Sequence, residues 1–194
     1  GNLDAQYYLA TLNLDGVIFN KNENKAVELL THSANKGHYD SQYKLAKIYF
    51  DQNPAINCKK SISWFLKIMY TAKFNAVQVI ADRNDLDIKV IDEAGLKQAY
   101  RKVSLKTHPD KISSYKNPDK LKDDHEKITE LYKSGYDSKI ISSILNYNLR
   151  DDVEYSMAKM YHKGCIDLDK NLNEAMEWYN KGASSGHSKS QYEA

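Results

Sequence analysis

The sequence predicts an all-α protein: an α-α superhelix of paired-helix repeats, interrupted in its middle by a helical hairpin module. Three observations predict it. A two-part segment recurs in one register, helix breakers are scarce, and the recurrence fails for about 75 residues before it resumes. With three prolines and eight glycines in 194 residues, long stretches are free to be helical.

The recurrence has two halves. Asp4-Ala5-Gln6-Tyr7-Tyr8-Leu9-Ala10 returns as Asp40-Ser41-Gln42-Tyr43-Lys44-Leu45-Ala46 and again as Asp152-Val153-Glu154-Tyr155-Ser156-Met157-Ala158. Asn24-Lys25-Ala26-Val27-Glu28-Leu29-Leu30 pairs with Asn173-Glu174-Ala175-Met176-Glu177-Trp178-Tyr179. Both then run on to Gly37-His38 or Gly186-His187, and to Ser41-Gln42-Tyr43 or Ser190-Gln191-Tyr192.

Each unit is expected to be two helices. The first buries Ala5, Tyr8, Leu9 and Leu12 at helical spacing; its counterparts bury Ala46 and Tyr49, or Met157, Met160 and Tyr161. Gly16 and Gly164 make the loop. On the second helix Ala26, Ser33 and Ala34, or Ala175 and Ala183, admit a close neighbour, and Leu30 or Tyr179 fills the remaining space. Gly37 and Gly186 fit the position that ends such a helix, and His38 and His187 after them are expected to cap helix carbonyls. One pair cannot cover its own apolar face, so the units must stack.

This pattern resembles the Sel-one-like repeat, a relative of the tetratricopeptide repeat, over residues 1–74 and 151–194. The residues that carry it are Leu9-Ala10, Gly16, Lys25-Ala26 and Ala34-Asn35-Lys36-Gly37-His38, then Met157 to Tyr161, Gly164, Glu174-Ala175, Trp178-Tyr179 and Gly182 to His187. The second copy is degenerate. Lys60-Ser61-Ile62-Ser63-Trp64-Phe65 keeps the helix, but Ala72 stands where Gly37 would be. The resemblance implies a protein-interaction scaffold that holds a protein or peptide client on its repeat surface.

Residues 75–150 follow different rules. Asn75 to Ala81 suits the first helix of a further repeat. Asp92-Glu93 offer a cap and favourable charge at a helix start. Leu96, Ala99, Tyr100, Val103 and Thr107 then share one arc, flanked by Lys97 and Arg101 on one side and Lys102 and Lys106 on the other. Pro109 ends that helix. A third helix is expected from Asp119 to Lys133 with Leu121, His125, Ile128, Leu131 and Tyr132 inward, and a fourth from Ser138 to Tyr147 using Ile140, Ile141, Ile144 and Leu145.

The run from Ala99-Tyr100-Arg101-Lys102 to His108-Pro109-Asp110-Lys111 resembles helix II and the loop of a J-domain, the module with which co-chaperones stimulate 70-kilodalton heat-shock ATPases. The resemblance implies that His108, Pro109 and Asp110 engage the chaperone and that Lys97, Arg101, Lys102 and Lys106 meet its acidic face. Helix I of such a module has to come from Val77 to Ala81. His125 stands where the family has an aromatic residue, and Gly135 replaces an apolar one. The alternative is a repeat-only adaptor, a bacterial secreted effector among its forms, in which the hairpin is a spacer.

Other classes find little support. Ser134 to Leu145 has the outline of a helix-turn-helix, but a net charge of +2 and the single Lys139 there leave DNA binding a remote alternative. Cys58 and Cys165 lie far apart without a CxxC partner, so free thiols in a reducing compartment are expected rather than a disulfide or structural zinc. The six histidines do not cluster at metal-ligand spacing, and no nucleophile elbow or phosphate loop is present. No apolar run reaches the roughly 20 residues of a membrane span. No enzyme activity, cofactor, metal, nucleic acid or membrane insertion is expected. A cytoplasmic location is, in a bacterium or in its host if the protein is a secreted effector. The chain starts with Gly1-Asn2 and both ends fall inside a repeat, as in an excised piece of a longer protein.

Overall fold

A computed structural model describes residues 1–18, 20–51, 54–133, 135–145 and 152–193. The helices are α1 (Leu3–Asp15), α2 (Glu23–Asn35), α3 (Tyr39–Asp51), α4 (Pro54–Arg83), α5 (Glu93–Lys106), α6 (Pro109–Ile112), α7 (Pro118–Lys133), α8 (Ser138–Leu145), α9 (Val153–Lys163), α10 (Leu172–Ser184) and α11 (Ser188–Glu193). Among the described residues there is no strand, only an isolated antiparallel bridge between Cys165 and Leu168. The chain divides into two compact units. One joins Gly1–Ile68 to Asp152–Ala194, and the other is Met69–Asp151.

In the first unit the repeat is built by local signals that recur. Asn22 and Asn171 each accept the backbone N–H three residues on, at 3.0 and 3.1 Å, and so start α2 and α10. Gly37 and Gly186, with φ of 88° and 93°, end those helices in the left-handed region that glycine enters without strain. His38 and His187 do not cap carbonyls as expected; they cap the start of the next helix. The N–H of Ser41 donates to Nδ1 of His38 at 3.3 Å, and that of Ser190 to Nδ1 of His187 at 3.2 Å. The reason is geometric: after the glycine reverses the chain, the ring faces the free N–H groups of α3 or α11.

The core of the first layer is Ala10, Ala26, Leu30, Ala34, Leu45 and Ile48, with Tyr7, Leu14 and Trp64 packed against it. This corrects the face expected for α1. Ala5 is exposed, Tyr8 is 65% exposed and Leu9 40% exposed, while Ala10 is sealed. Helical spacing fits either stripe, and α2 packs on the one that carries Ala10. Of the other expected interior positions, Ala46, Met157, Met160, Ala175 and Tyr179 are buried, while Leu12, Tyr49, Tyr161 and Ala183 are half-buried.

The second layer meets the last one directly. Tyr43 Oη donates to Asp152 Oδ1 at 2.7 Å, Lys47 Nζ lies 3.6 Å from Asp152 Oδ2, and Lys159 Nζ sits 5.9 Å from the Phe50 ring centroid. Cys58 and Cys165 form a disulfide across this junction, which corrects the expectation of free thiols. Their 107-residue separation concealed a Cα–Cα distance of 6.3 Å, because consecutive layers of the stack lie on either side of the intervening unit in the chain.

The second unit starts with a consequence of Ala72. With no glycine to end it, the second helix of the degenerate copy does not stop, and α4 runs on to Arg83. The segment Val77 to Ala81, expected as a separate helix, is therefore the end of a longer one, and it buries Val77, Ile80 and Ala81. Asp92 accepts the Gly95 N–H at 2.8 Å and starts α5 as expected. α7 packs against α5 in antiparallel sense: Tyr100 stacks on Tyr132 with centroids 4.5 Å apart, and Ser104 Oγ lies 3.1 Å from His125 Nε2. Tyr132 thus covers Tyr100 while staying partly exposed rather than pointing inward. α8 buries Ile141 and Ile144; Tyr147, where that helix was expected to end, lies outside the described residues, as does Ser134.

Candidate protein-docking site

His108, Pro109 and Asp110 lie at one end of the α5–α7 hairpin with Lys106 just before them, while Lys97, Arg101 and Lys102 lie back along α5. α5 stops at Lys106, Thr107 closes it by donating its Oγ1–H to the carbonyl of Ser104 at 2.9 Å, and Pro109 opens the short α6. His108 is the residue before that turn. Its φ of −56° and ψ of 136° are the extended angles a following proline imposes. Its Nδ1 accepts the Asp110 N–H at 3.4 Å and lies 3.4 Å from Asp110 Oδ2. The side chains of His108 and Asp110 remain 59% and 85% exposed. The tip therefore presents an imidazole and a carboxylate to solvent in a fixed mutual arrangement.

The four basic residues do not act alike. Lys97 and Arg101, one turn apart on α5, are exposed and form a continuous positive strip. Lys102 is half-buried on the flank. Lys106 turns inward: its ammonium donates to the backbone carbonyl of Asn84 and stands 5.4 Å from the Tyr115 ring centroid. It fastens the hairpin to the end of α4.

What holds the tip in place was not visible in the sequence. Asp124 of α7 is 1% exposed, and its two oxygens accept from Arg83 Nη1 at 3.0 Å and Asn84 Nδ2 at 2.8 Å. A buried carboxylate with a cation and an amide on separate oxygens is a strong, directional joint. Near the other end of the hairpin, Lys73 donates to Glu93 at 2.8 Å. Both joints pair residues at least 20 positions apart, so no local signal announces them.

The repeats offer a second surface. Tyr8 and Leu9 on α1 and Leu172 and Met176 on α10 are exposed apolar side chains of the kind a partner covers. Beneath α10, burial and then the charges of Glu193 and Tyr155 push the Tyr179 phenol up to about 12, and His162 Nδ1 lies 3.2 Å from its oxygen. Burial and then Glu174 raise Tyr161 as well. These phenols stay neutral and structural. Among the described residues, one group of three potential metal ligands occurs, Cys58, Cys165 and Asp167. No helix among them is long and apolar enough to cross a membrane.

The family model of the Sel1 repeat matches residues 3–38, 40–68 and 152–187. No curated protein matches the chain. Among solved structures it is similar to c5321, a protective antigen of uropathogenic Escherichia coli strains displaying an SLR fold, at 16% identity and a TM-score of 0.32. That match covers 98% of this chain and 48% of the other, so the chain spans about half the length of that relative. It is also similar to a Sel1 repeat protein from Oxalobacter formigenes, at 16% identity and a TM-score of 0.33, over 97% of this chain and 73% of that one.

Proposed function

Because the chain belongs to the Sel1 repeat family, we propose that it is a protein-binding scaffold whose stacked helix pairs hold a protein partner. The observation that carries this is the threefold repeat itself: paired helices built to one plan, with apolar side chains such as Tyr8, Leu9 and Met176 left exposed on it. Photo-crosslinking residues placed at positions 8 and 176 of the full chain test it in the native cell. Discrete protein adducts are expected from both positions and not from position 139 on α8. Equal labelling at all three would refute a repeat-borne site.

A second proposal concerns the hairpin. It docks a 70-kilodalton heat-shock ATPase, so that the scaffold delivers its client to that chaperone, in the cytoplasm of the bacterium or of a host cell. Its support is the exposure of His108 and Asp110 at the tip together with the Lys97–Arg101 strip. Purified chain added to such an ATPase in single turnover is expected to accelerate hydrolysis. Asp110→Asn should abolish the gain while changing stability by less than about 0.5 kcal/mol, because the side chain is exposed. No acceleration of several such ATPases by the native chain would leave the repeat-only adaptor, with the hairpin as a spacer.

A further inference from the structure

Cys165 sits in a short turn closed by two backbone hydrogen bonds, Cys165 N–H to Leu168 carbonyl at 2.7 Å and Leu168 N–H to Cys165 carbonyl at 3.2 Å. The same turn carries Asp167. Its Oδ2 accepts the backbone N–H of Lys59 at 3.1 Å, which ties the turn to the residue after Cys58. Its Oδ1 is sealed from solvent and accepts no hydrogen bond from the protein. A buried acceptor left without a donor is costly, and this one lies beside two sulfurs. The two sulfurs and a carboxylate oxygen of Asp167 all lie within 4.8 Å of one another.

From this juxtaposition we propose that Cys58, Cys165 and Asp167 are a redox-gated site for one soft divalent cation of the zinc class. In the disulfide form the sulfurs are joined and the site is closed. A dithiol reductant breaks the S–S bond: two electrons pass to the cysteine sulfurs, the dithiol becomes its own disulfide, and its two protons end on Cys58 and Cys165. The cation then binds both sulfurs as thiolates, releases those two protons to solvent, and takes Asp167 as its third ligand.

The backbone suits both states. A Cα–Cα distance of 6.3 Å falls inside the disulfide range. Two thiolates at about 2.3 Å from a tetrahedral ion stand roughly 3.8 Å apart, which the same backbone reaches by side-chain rotation. A cavity of about 350 Å³ lined by both cysteines, Phe50, Asp51, Met160, Lys159 and Lys163 opens on the sulfurs, on a side that Asp167 does not line, and leaves room there for a fourth ligand. Three anionic ligands on a divalent ion carry one excess negative charge. Lys159 and Lys163 in the cavity lining outweigh Asp51 there and oppose that excess. Two sulfurs with one carboxylate select zinc-like ions over calcium or magnesium.

The test uses the full chain, reduced with a dithiol that is then removed without air. Cadmium is titrated in and followed by thiolate charge-transfer absorption, and zinc by competition with a chromophoric chelator, with far-ultraviolet circular dichroism as the check on folding. The reduced chain is expected to bind one ion and release two protons, and the oxidised chain to bind none. Asp167→Asn should weaken binding about tenfold, and Cys165→Ser should lose the absorption band. The proposal is overturned if the reduced chain binds no more tightly than the Cys58→Ser/Cys165→Ser variant. It is overturned equally if Asp167→Asn binds like the native chain, or if reduction unfolds the repeats.

Discussion

Replacing both cysteines by serine tests the junction between the second and last layers. The bond closes a loop of 107 residues, and that loop contains the whole second unit. If both units unfold together, the entropy the bond removes from the unfolded chain is worth roughly 4.8 kcal/mol. If the second unit stays folded while the repeats open, it acts as a rigid link. The flexible part of the loop is then about 25 residues and the bond is worth about 3.5 kcal/mol. The two regimes can be told apart because Trp64 and Trp178, the two tryptophans of the chain, both lie in the repeat unit. Urea unfolding followed by tryptophan fluorescence reports the repeats, and circular dichroism reports all helices. With a urea slope of about 1.5 kcal/mol/M, the fluorescence midpoint of the variant should fall by about 2–3 M in chelator. A later transition seen only by circular dichroism marks the rigid-link case. A midpoint shift below about 0.5 M would refute the reasoning, since it would mean that the two layers are not neighbours held by this bond.

Three further outcomes are expected. His38→Ala and His187→Ala each remove a helix-start acceptor and should cost about 1 kcal/mol by the same urea assay; with the two sites in separate layers, the double variant should show the sum. Asp124→Ala strips the partner from Arg83 and Asn84, which are only half-buried, and should cost about 1–3 kcal/mol, lowering the circular dichroism transition of the second unit and leaving tryptophan fluorescence unchanged. Tyr179 has a folded-state phenol raised by burial and then by Glu193 and Tyr155 to about 12. The folded chain therefore keeps a proton that the unfolded chain loses near the ordinary value of 10, so its contribution is full below pH 10 and falls away as pH rises toward 12. Unfolding midpoints measured between pH 9 and pH 11 should fall more steeply for the native chain than for Tyr179→Phe.

Local signals were legible and contact between distant segments was not, and particular residues show why. Asn22, Asn171, Gly37 and Gly186 act within a few positions of themselves, so each announces a helix boundary in the sequence. The face α1 buries depends on which side α2 packs on, and the spacing of Tyr8, Leu9 and Ala10 carries no such information. Ala72 was readable as a missing glycine. Its effect, a helix that continues to Arg83, follows only once the next segment is known to accept helical geometry. In the hairpin, His108-Pro109-Asp110 is a contiguous signal, whereas the Arg83–Asp124 joint that holds it is not. The cysteines sharpen the point. Chain distance places them far apart, but distance counted in repeat layers places them side by side, because an inserted unit adds residues without adding a layer. Cys58 opens the second half of one copy and Cys165 lies in the loop of the next, and the last copy is the next layer once the insertion is discounted. A pair of ligands or thiols that flanks an insertion in a stacked fold is therefore to be sought on the register of the stack. On that register Asp167, two residues beyond Cys165, faces the start of the same helix that carries Cys58, as its bond to the Lys59 N–H records.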